Sequence, residues 1–577
     1  MKSRTSFFNP TVFRKDVTRF APVWILCTLG MLMYVAALVD YNDYVRALNV
    51  TYWIRGMAVV NLAYALLNAQ LLFGDLFNAR MCSALHAMPL RRECWFATHT
   101  VSGLFFSLVP NTVFSLVVLT MLGKGWSVAL WFLLAVELQY LLFFGIGVFS
   151  VMLTGNRFAQ VLIYVLINFL SILALWFVTT LYEPLMFGVS ISGDRFYLFC
   201  PVVEIAGNNS EFLTVKTVEE NLPYYQYSID SIALNVGWGY LVICAAIGIA
   251  LLAVALVLYR KRDLETAGDF IAFKVAEPVF LVLFTLGVGA FFQLVARTFD
   301  IGLEYLFLAV GIAVGFFVGR MLLKRTTRVF QPKAFLGFGG IVAVMALSLV
   351  LVKADAFGIV RYVPDAGEVA SVTFTNGYYH GNVGRLTVTD REDIEKLRTV
   401  HQYAIGNGID ADEYSYHNEI YYTYLYLDYE RTDGSHVERR YSVPVDSEAG
   451  GILKDYYSTV ECLLGVPEAE ARDLADDIYV LYIDGEMFER EADAEFYENL
   501  DGLMEAVIAD CKAGNMIQDW AYHHGDADPS HVYIELQWQP AGGEYDWSSF
   551  NVFDSCTNTL NWLTDNGYEI GTGMYGG

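Results

Sequence analysis

FLGFGGIVAVMALSLVLV (335–352) runs directly into KADAF (353–357), and the chemistry of the chain changes at that seam. Eighteen residues without a charge come close to the length of about 20 needed to cross a bilayer as a helix. Beyond the seam, residues 353–577 carry 13 Lys+Arg against 43 Asp+Glu, a net charge of −30. Before it, 24 basic residues face 19 acidic ones, net +5, and long apolar runs dominate. The whole-chain values, 55% hydrophobic and 17% charged, therefore average two unlike parts. A domain at −30 is soluble and repels nucleic acid.

Working back from 335–352, runs long enough to span fall near 21–39, 54–73, 99–122, 127–153, 158–181, 232–259, 275–296 and 301–323. Trp24, Trp53, Trp126 and Tyr259 stand near their ends, where amphipathic rings favour the interface. The opening MKSRTSFFNPTVFRKDVTRF is too polar for a cleavable signal peptide, and the first apolar run lacks a small-residue cleavage site.

Short-loop Lys and Arg orient such a bundle. Lys2, Arg4, Arg14, Lys15 and Arg19 precede the first run. Arg80, Arg91 and Arg92 follow the second, Arg157 the fourth, Arg260, Lys261 and Arg262 the sixth, and Arg320, Lys324, Arg325, Arg328 and Lys333 the eighth. All fall on one side if nine spans are real. That side is then cytoplasmic, and the odd count leaves the acidic C-terminal domain outside. The expected fold is a polytopic all-α membrane bundle of about nine transmembrane helices followed by an α+β extracellular domain, in a bacterial plasma membrane.

In the acidic domain, IYYTYLYLDY alternates, with Ile420, Tyr422, Tyr424 and Tyr426 on one face. Asp433-Gly434 and VERRYSV complete a hairpin signal. Helices are expected at 390–405, with Asp390 as N-cap, and at 447–464 and 492–513. Strands are expected near 369–376, 383–389, 478–483 and 531–538. Cys462, Cys511 and Cys556 are an odd number, and nothing selects a disulfide pairing.

Candidate sites carry competing readings. GDLFNARMCSALHAMPLRRECWFA (74–97) is too polar to span, but Leu76, Phe77, Met81 and Leu85 have helical spacing and Pro89 ends the helix before Arg91–Arg92. It reads either as a basic interfacial loop or as a short amphipathic helix that passes force to a partner. Val12, Phe13, Val17 and Phe20 form one face of a membrane-surface helix, with Arg14, Lys15 and Arg19 outward. Glu137 and Gln139 lie within a span, where an ionisable group is expensive: they are either functional or a helix–helix hydrogen bond. Gly311, Gly315 and Gly319 form overlapping G-x-x-x-G units, read as tight packing within the chain ahead of a dimer face. His523, His524, Asp526 and Asp528 read as a solvated loop ahead of a metal site. No metal, catalytic set or phosphate loop of the form G-x-x-x-x-G-K-[ST] is expected on this chain.

The order of a basic amphipathic N-terminus, two spans and Arg80…Leu85…Met88-Pro89-Leu90-x-Arg92 resembles permease subunits of ABC-2-type transporters. YRKRDLETAGDFIAF, after the sixth run, resembles a Gram-positive group of them with further spans and an extracellular domain. The resemblance implies four parts: an N-terminal cytoplasmic helix (1–20), a six-span core (21–259) with coupling loop 74–97 and outer loop 182–231, three additional spans (260–352) and the extracellular domain (353–577). It implies that Arg80, Leu85, Pro89 and Arg92, with Arg91 beside them, contact a separate ABC ATPase subunit that binds ATP. It also implies a second permease chain, identical or paralogous, and no cofactor on this chain. The competing readings are a membrane-anchored ligand sensor signalling through a partner and, last, a membrane enzyme.

Overall fold

The computed structural model describes residues 7–37, 43–88, 90–122, 126–207, 213–217, 232–380, 383–411, 416–417, 420–489, 497, 499–517, 530–538 and 546–568. The chain divides into two compact units, one comprising 1–178 and 193–346, the other 179–192 and 347–577.

The first unit is helical. It opens with α1 (Pro10–Arg19), α2 (Ala21–Ala37), α3 (Asp43–Leu72), α4 (Ala79–His86), α5 (Arg92–Leu122) and α6 (Trp126–Leu153). There follow α7 (Arg157–Asn168), α8 (Leu170–Phe177), α9 (Asp194–Leu198) and α10 (Pro201–Ala206). After the hairpin β1 (Leu213–Thr217) and β2 (Ile232–Val236) come α11 (Trp238–Lys261), α12 (Ala276–Thr298), α13 (Glu304–Lys324) and α14 (Pro332–Lys353). Among the described residues six helices are long and apolar enough to cross a membrane, or up to eight if each of two bent pairs is one span. These are α5, α6, α11, α12, α13 and α14, and the pairs α1–α2 and α7–α8. Of the nine runs expected from sequence, six thus correspond to such a helix and two fall on the bent pairs. The exception is α3, whose Arg55, Asn61, Asn68 and Gln70 dilute its apolar run.

The bends have local causes. Between α1 and α2 the axis turns 56°. Phe20 leaves helical geometry there, and Pro22 lacks the N–H that would continue the ladder. Between α7 and α8 it turns 60°, where the Asn168 amide donates back to the Tyr164 carbonyl at 2.8 Å. The sixth run, expected from 232, also changes. Ile232–Val236 pair with Leu213–Thr217 as a strand, and the helix starts only at Trp238, after Gly237.

Helix α6 lies at the centre of this unit's core, with Phe132, Val136, Tyr140, Phe143 and Phe144 buried against α3, α5 and α11. Its contact with α11 requires glycine: a Cβ on Gly248 would lie 2.4 Å from the Leu141 carbonyl oxygen. Helices α12 and α13 also form a close pair. A Cβ on Gly311 would lie 2.9 Å from Gly289 Cα, and one on Gly315 would lie 3.0 Å from Thr285 Cα. The Gly311/Gly315/Gly319 stripe therefore packs within the chain.

The second unit is α+β. One antiparallel sheet has the order β4 (Val383–Val388), β3 (Val369–His380), β6 (Ile420–Arg431), with β7 (His436–Pro444) and the short β5 (Tyr416–His417) both pairing with β6. The Gly434 turn closes β6 on β7 with φ +76°, and the Arg431 carbonyl accepts from the Gly434 amide at 2.8 Å. Along β6, Leu425, Leu427 and Tyr429 are buried, and of the face carrying Ile420, Tyr422, Tyr424 and Tyr426 only Tyr422 is buried. Helix α15 (Arg391–Asn407) starts at the Asp390 N-cap as its sequence requires. The helix expected over 447–464 is two, α16 (Glu448–Tyr457) and α17 (Val460–Leu464), because the Thr459 hydroxyl caps a new start by accepting from the Cys462 amide.

A second antiparallel sheet has the order Asp546–Phe553, Ser530–Trp538, Ile478–Ile483, Glu486–Glu489. It shares a core with the helices Leu500–Lys512 and Thr557–Asp565. The described helix begins at Leu500 rather than 492, and 490–496 lie outside the described residues.

Candidate functional site

The basic loop face of the first unit is built from its ends inward. Helix α1 starts at Asn9, whose side chain accepts from the Thr11 and Val12 amides. Its apolar side packs on α5, Phe13 edge-on to Phe105 and Phe20 edge-on to Phe106, leaving Arg14, Lys15 and Arg19 exposed. The amphipathic pattern is as expected, but the surface it covers is protein. The fixing residue is one the periodicity does not mark: Asp16, buried, with Oδ2 2.8 Å from His99 Nδ1 and accepting from the Ser102 hydroxyl at 2.9 Å.

Loop 74–97 forms a 3-10 turn (Gly74–Phe77), then α4. Asn78 caps α4 through the Arg80 and Met81 amides. Leu76 and Cys82 are buried, so among the described side chains of α4 Cys82, not Met81, is the inward one. Arg80, Met81, Met88 and Arg91 are exposed, the two methionines by 47% and 46%. Leu85 lies on α4 without a described side chain, and Pro89 lies outside the described residues.

Arg92 points elsewhere. Its Nη1 donates to the carbonyls of Tyr259, Arg260 and Arg262, closing the C-terminal end of α11 where unpaired carbonyls and the helix dipole favour a cation. Glu93 pairs with Arg260 at 3.1 Å. Arg262 is buried and makes the reciprocal contact. Its guanidinium donates to Val151 O at 2.8 Å, at the end of α6, and to Leu76 O at 3.3 Å in the loop turn. Burial pushes its pKa down to about 10, so it stays charged at neutral pH. The Gly155 amide donates to Asp269 O, and a Cβ there would sit 2.2 Å from the Thr266 carbonyl oxygen. The stretch 259–273 is thereby a bracket tying loops 74–97 and 153–157 together.

Deeper in the helices, one Glu137 oxygen accepts from Ser107 Oγ and Asn111 Nδ2, both at 2.8 Å, joining α6 to α5. Gln139, fully buried, reaches the Ile54 carbonyl at 3.5 Å. The geometry is that of helix–helix hydrogen bonds. The seam continues through residues that the sequence reading passed over. Asn68 donates to the Tyr140 hydroxyl, which donates to Gly103 O, and the Tyr64 hydroxyl donates to Phe106 O. Asparagines at 61, 68 and 111 in otherwise apolar runs were the available signal.

In the second unit Cys462, Cys511 and Cys556 are buried thiols outside any disulfide, and burial pushes the Cys511 thiol up, away from reactivity. Asp510 accepts from the Asn558 and Thr559 amides and side chains, capping the last helix. A cleft of about 520 Å³ is lined by Asp455, Glu461, Glu468, Cys511 and Lys512, with Lys512 paired to Glu468 at 2.6 Å. Among the described residues no three His, Cys, Asp or Glu side chains are grouped to hold a metal; His523, His524, Asp526 and Asp528 lie outside them.

No family model, no curated protein and no solved structure matches the chain.

Proposed function

We propose that the chain is the membrane-spanning permease subunit of an exporter-type ABC transporter, working with a separate ATPase subunit that binds the ATP and with a second permease chain. The observation that carries this reading is that Arg80, Met81, Met88 and Arg91, all within loop 74–97, are each exposed. It combines cations with adaptable apolar side chains, a composition suited to a protein partner. The bracket of Arg92, Arg262 and Gly155 stiffens it from behind, so a push on α4 reaches the ends of α6 and α11.

In this reading α3, 30 residues and so about 45 Å long, counts as a span and brings the total to nine. One argument for topology does not depend on α3. The chain joins the second unit at residue 179 and again at 347, and the apolar helices between those points are α11, α12, α13 and α14. An even number of crossings returns the chain to the same side. In this reading the basic loop residues lie on the opposite, cytoplasmic side and the C-terminal domain is extracellular.

A membrane-anchored sensor is the second reading, favoured by the second unit's inclusion of 179–192, the segment that follows α7–α8. Purification from the native membrane separates the two. The transporter reading expects a nucleotide-hydrolysing subunit to accompany the chain. Recovery of the chain alone, or with a signalling protein that does not hydrolyse nucleotide, removes it.

A further inference from the structure

Strand β7 holds two other pieces of the second unit through adjacent arginines. Gly188–Ser190 lie along its edge: the Arg440 amide donates to Gly188 O at 3.0 Å, and the Ser190 amide donates to Glu438 O at 3.3 Å. Val189 pairs with Arg439 across this edge. The Arg440 side chain meets Glu183 at 3.5 Å. The Arg439 side chain, buried, donates through Nη2 to the carbonyls of Ile359 at 2.9 Å and Tyr362 at 3.3 Å. Tyr182 and Ser348 hydroxyls are 3.0 Å apart.

The two gripped segments are the stalks of the unit. Residues 183–190 continue from α7–α8 through one wide π turn, Val178–Tyr182, and residues 354–362 continue from α14. The strap seats in the core of the sheet. Gly188 has φ +69°, and a Cβ there would lie 1.8 Å from the Tyr441 ring, which stands 3.2 Å from His401 through its hydroxyl. Such a seat admits only glycine.

We propose that Arg439 and Arg440 are a two-stalk clamp, so that a rearrangement of the sheet β3–β6–β7 is delivered through 183–190 to the bent pair α7–α8. A single tether needs neither a strand pairing for 188–190 nor a guanidinium spent on the other stalk. A π turn, a costly local form frequent at functional sites, lies where a clamped strap passes motion to a helix. The proposal is independent of what the chain transports or senses.

The experiment is hydrogen exchange on the full chain in lipid nanodiscs. Gly188→Val displaces the strap. The clamp predicts at least about tenfold faster exchange at the amides of 186–190 and Arg440, and raised exchange through 170–182, with α5 and α6 unchanged. A freed strap with unaltered exchange in 170–182, or a strap that stays protected, overturns the proposal. If Gly188→Val unfolds the domain, Arg440→Glu and the charge swap Glu183→Arg/Arg440→Glu replace it. The swap must restore protection of 183–190 that Arg440→Glu lowers, and no difference between the two overturns the proposal.

Discussion

Arg92 and Tyr259 are 167 positions apart in the chain, yet Arg92 Nη1 donates to the Tyr259 carbonyl at 3.2 Å at the end of α11. Arg262, three residues beyond Tyr259, returns the contact by reaching Val151 O at the end of α6. Each guanidinium donates to carbonyls at the C-terminal end of a helix, where the helix dipole favours a cation. The basic residues here thus fall into two groups: Arg80 and Arg91 are exposed, while Arg92 and Arg262 hold helix ends together.

Replacing Arg262 by Met keeps much of the volume and removes the donors to Val151, Met152 and Leu76. Losing a hydrogen bond from a charged donor costs about 1.5–3 kcal/mol. The thermal midpoint of the purified chain should fall by several degrees, and Arg262→Lys should recover only part of it, because an ammonium lacks the planar fork. An unchanged midpoint in Arg262→Met contradicts the bracket.

Asp16→Ala should release α1. Its carboxylate is buried between His99 and Ser102, and loss of the pair leaves both partners facing an empty site, at about 2 kcal/mol. Trypsin should cut faster at Arg14, Lys15 or Arg19 in the variant. Equal rates mean that α1 is held by its phenylalanines alone.

Acid should weaken the C-terminal domain through His401. Buried against Tyr429 and Tyr441, it stays neutral down to about 3, whereas its unfolded value is 6.5. Between those values the unfolded chain binds the extra proton, so stability is lost as pH falls through that window, at up to ~1.4 kcal/mol per pH unit. The urea midpoint should therefore drop more steeply between pH 6.5 and 4.5 in the wild type than in His401→Gln. Parallel slopes contradict it.

Gly315→Leu should disrupt the α12–α13 pair, since even a Cβ meets Val288 and Thr285 at 2.9–3.0 Å. Gly340→Ala in α14, where nothing lies within 4 Å, should leave the thermal midpoint within about a degree or raise it, because alanine is the better helix former. Equal effects of the two changes remove the close-packing account.

Much of this was legible in the residues. Hydropathy and charge located the seam near 352, most of the apolar helices, the Asp390 cap and the Asp433-Gly434 hairpin, because those signals are local. What escaped was set by distant partners. Ile232–Val236 is an apolar run whose strand form depends on pairing with Leu213–Thr217. Arg92 stood in a motif as a partner contact, and only the position of α11 shows it turned inward. Residues 182–192 read as part of an outer loop, and the place of Gly188–Ser190 on β7 depends on Gly188 meeting Tyr441. Glu137 was marked by its cost in a span, but its partners Ser107 and Asn111 emerge only when α5 lies beside α6.

The central claim is that Arg80, Met81, Met88 and Arg91 form the face that receives an ATPase subunit. The direct measurement is recovery of that subunit when the full chain is purified from native membranes, compared between wild type and Arg80→Glu/Arg91→Glu. Both arginines are exposed, so the chain's own thermal midpoint should hold, while recovery should fall by at least about tenfold, the equivalent of ~1.4 kcal/mol. Full recovery of the subunit with both charges reversed would contradict the account.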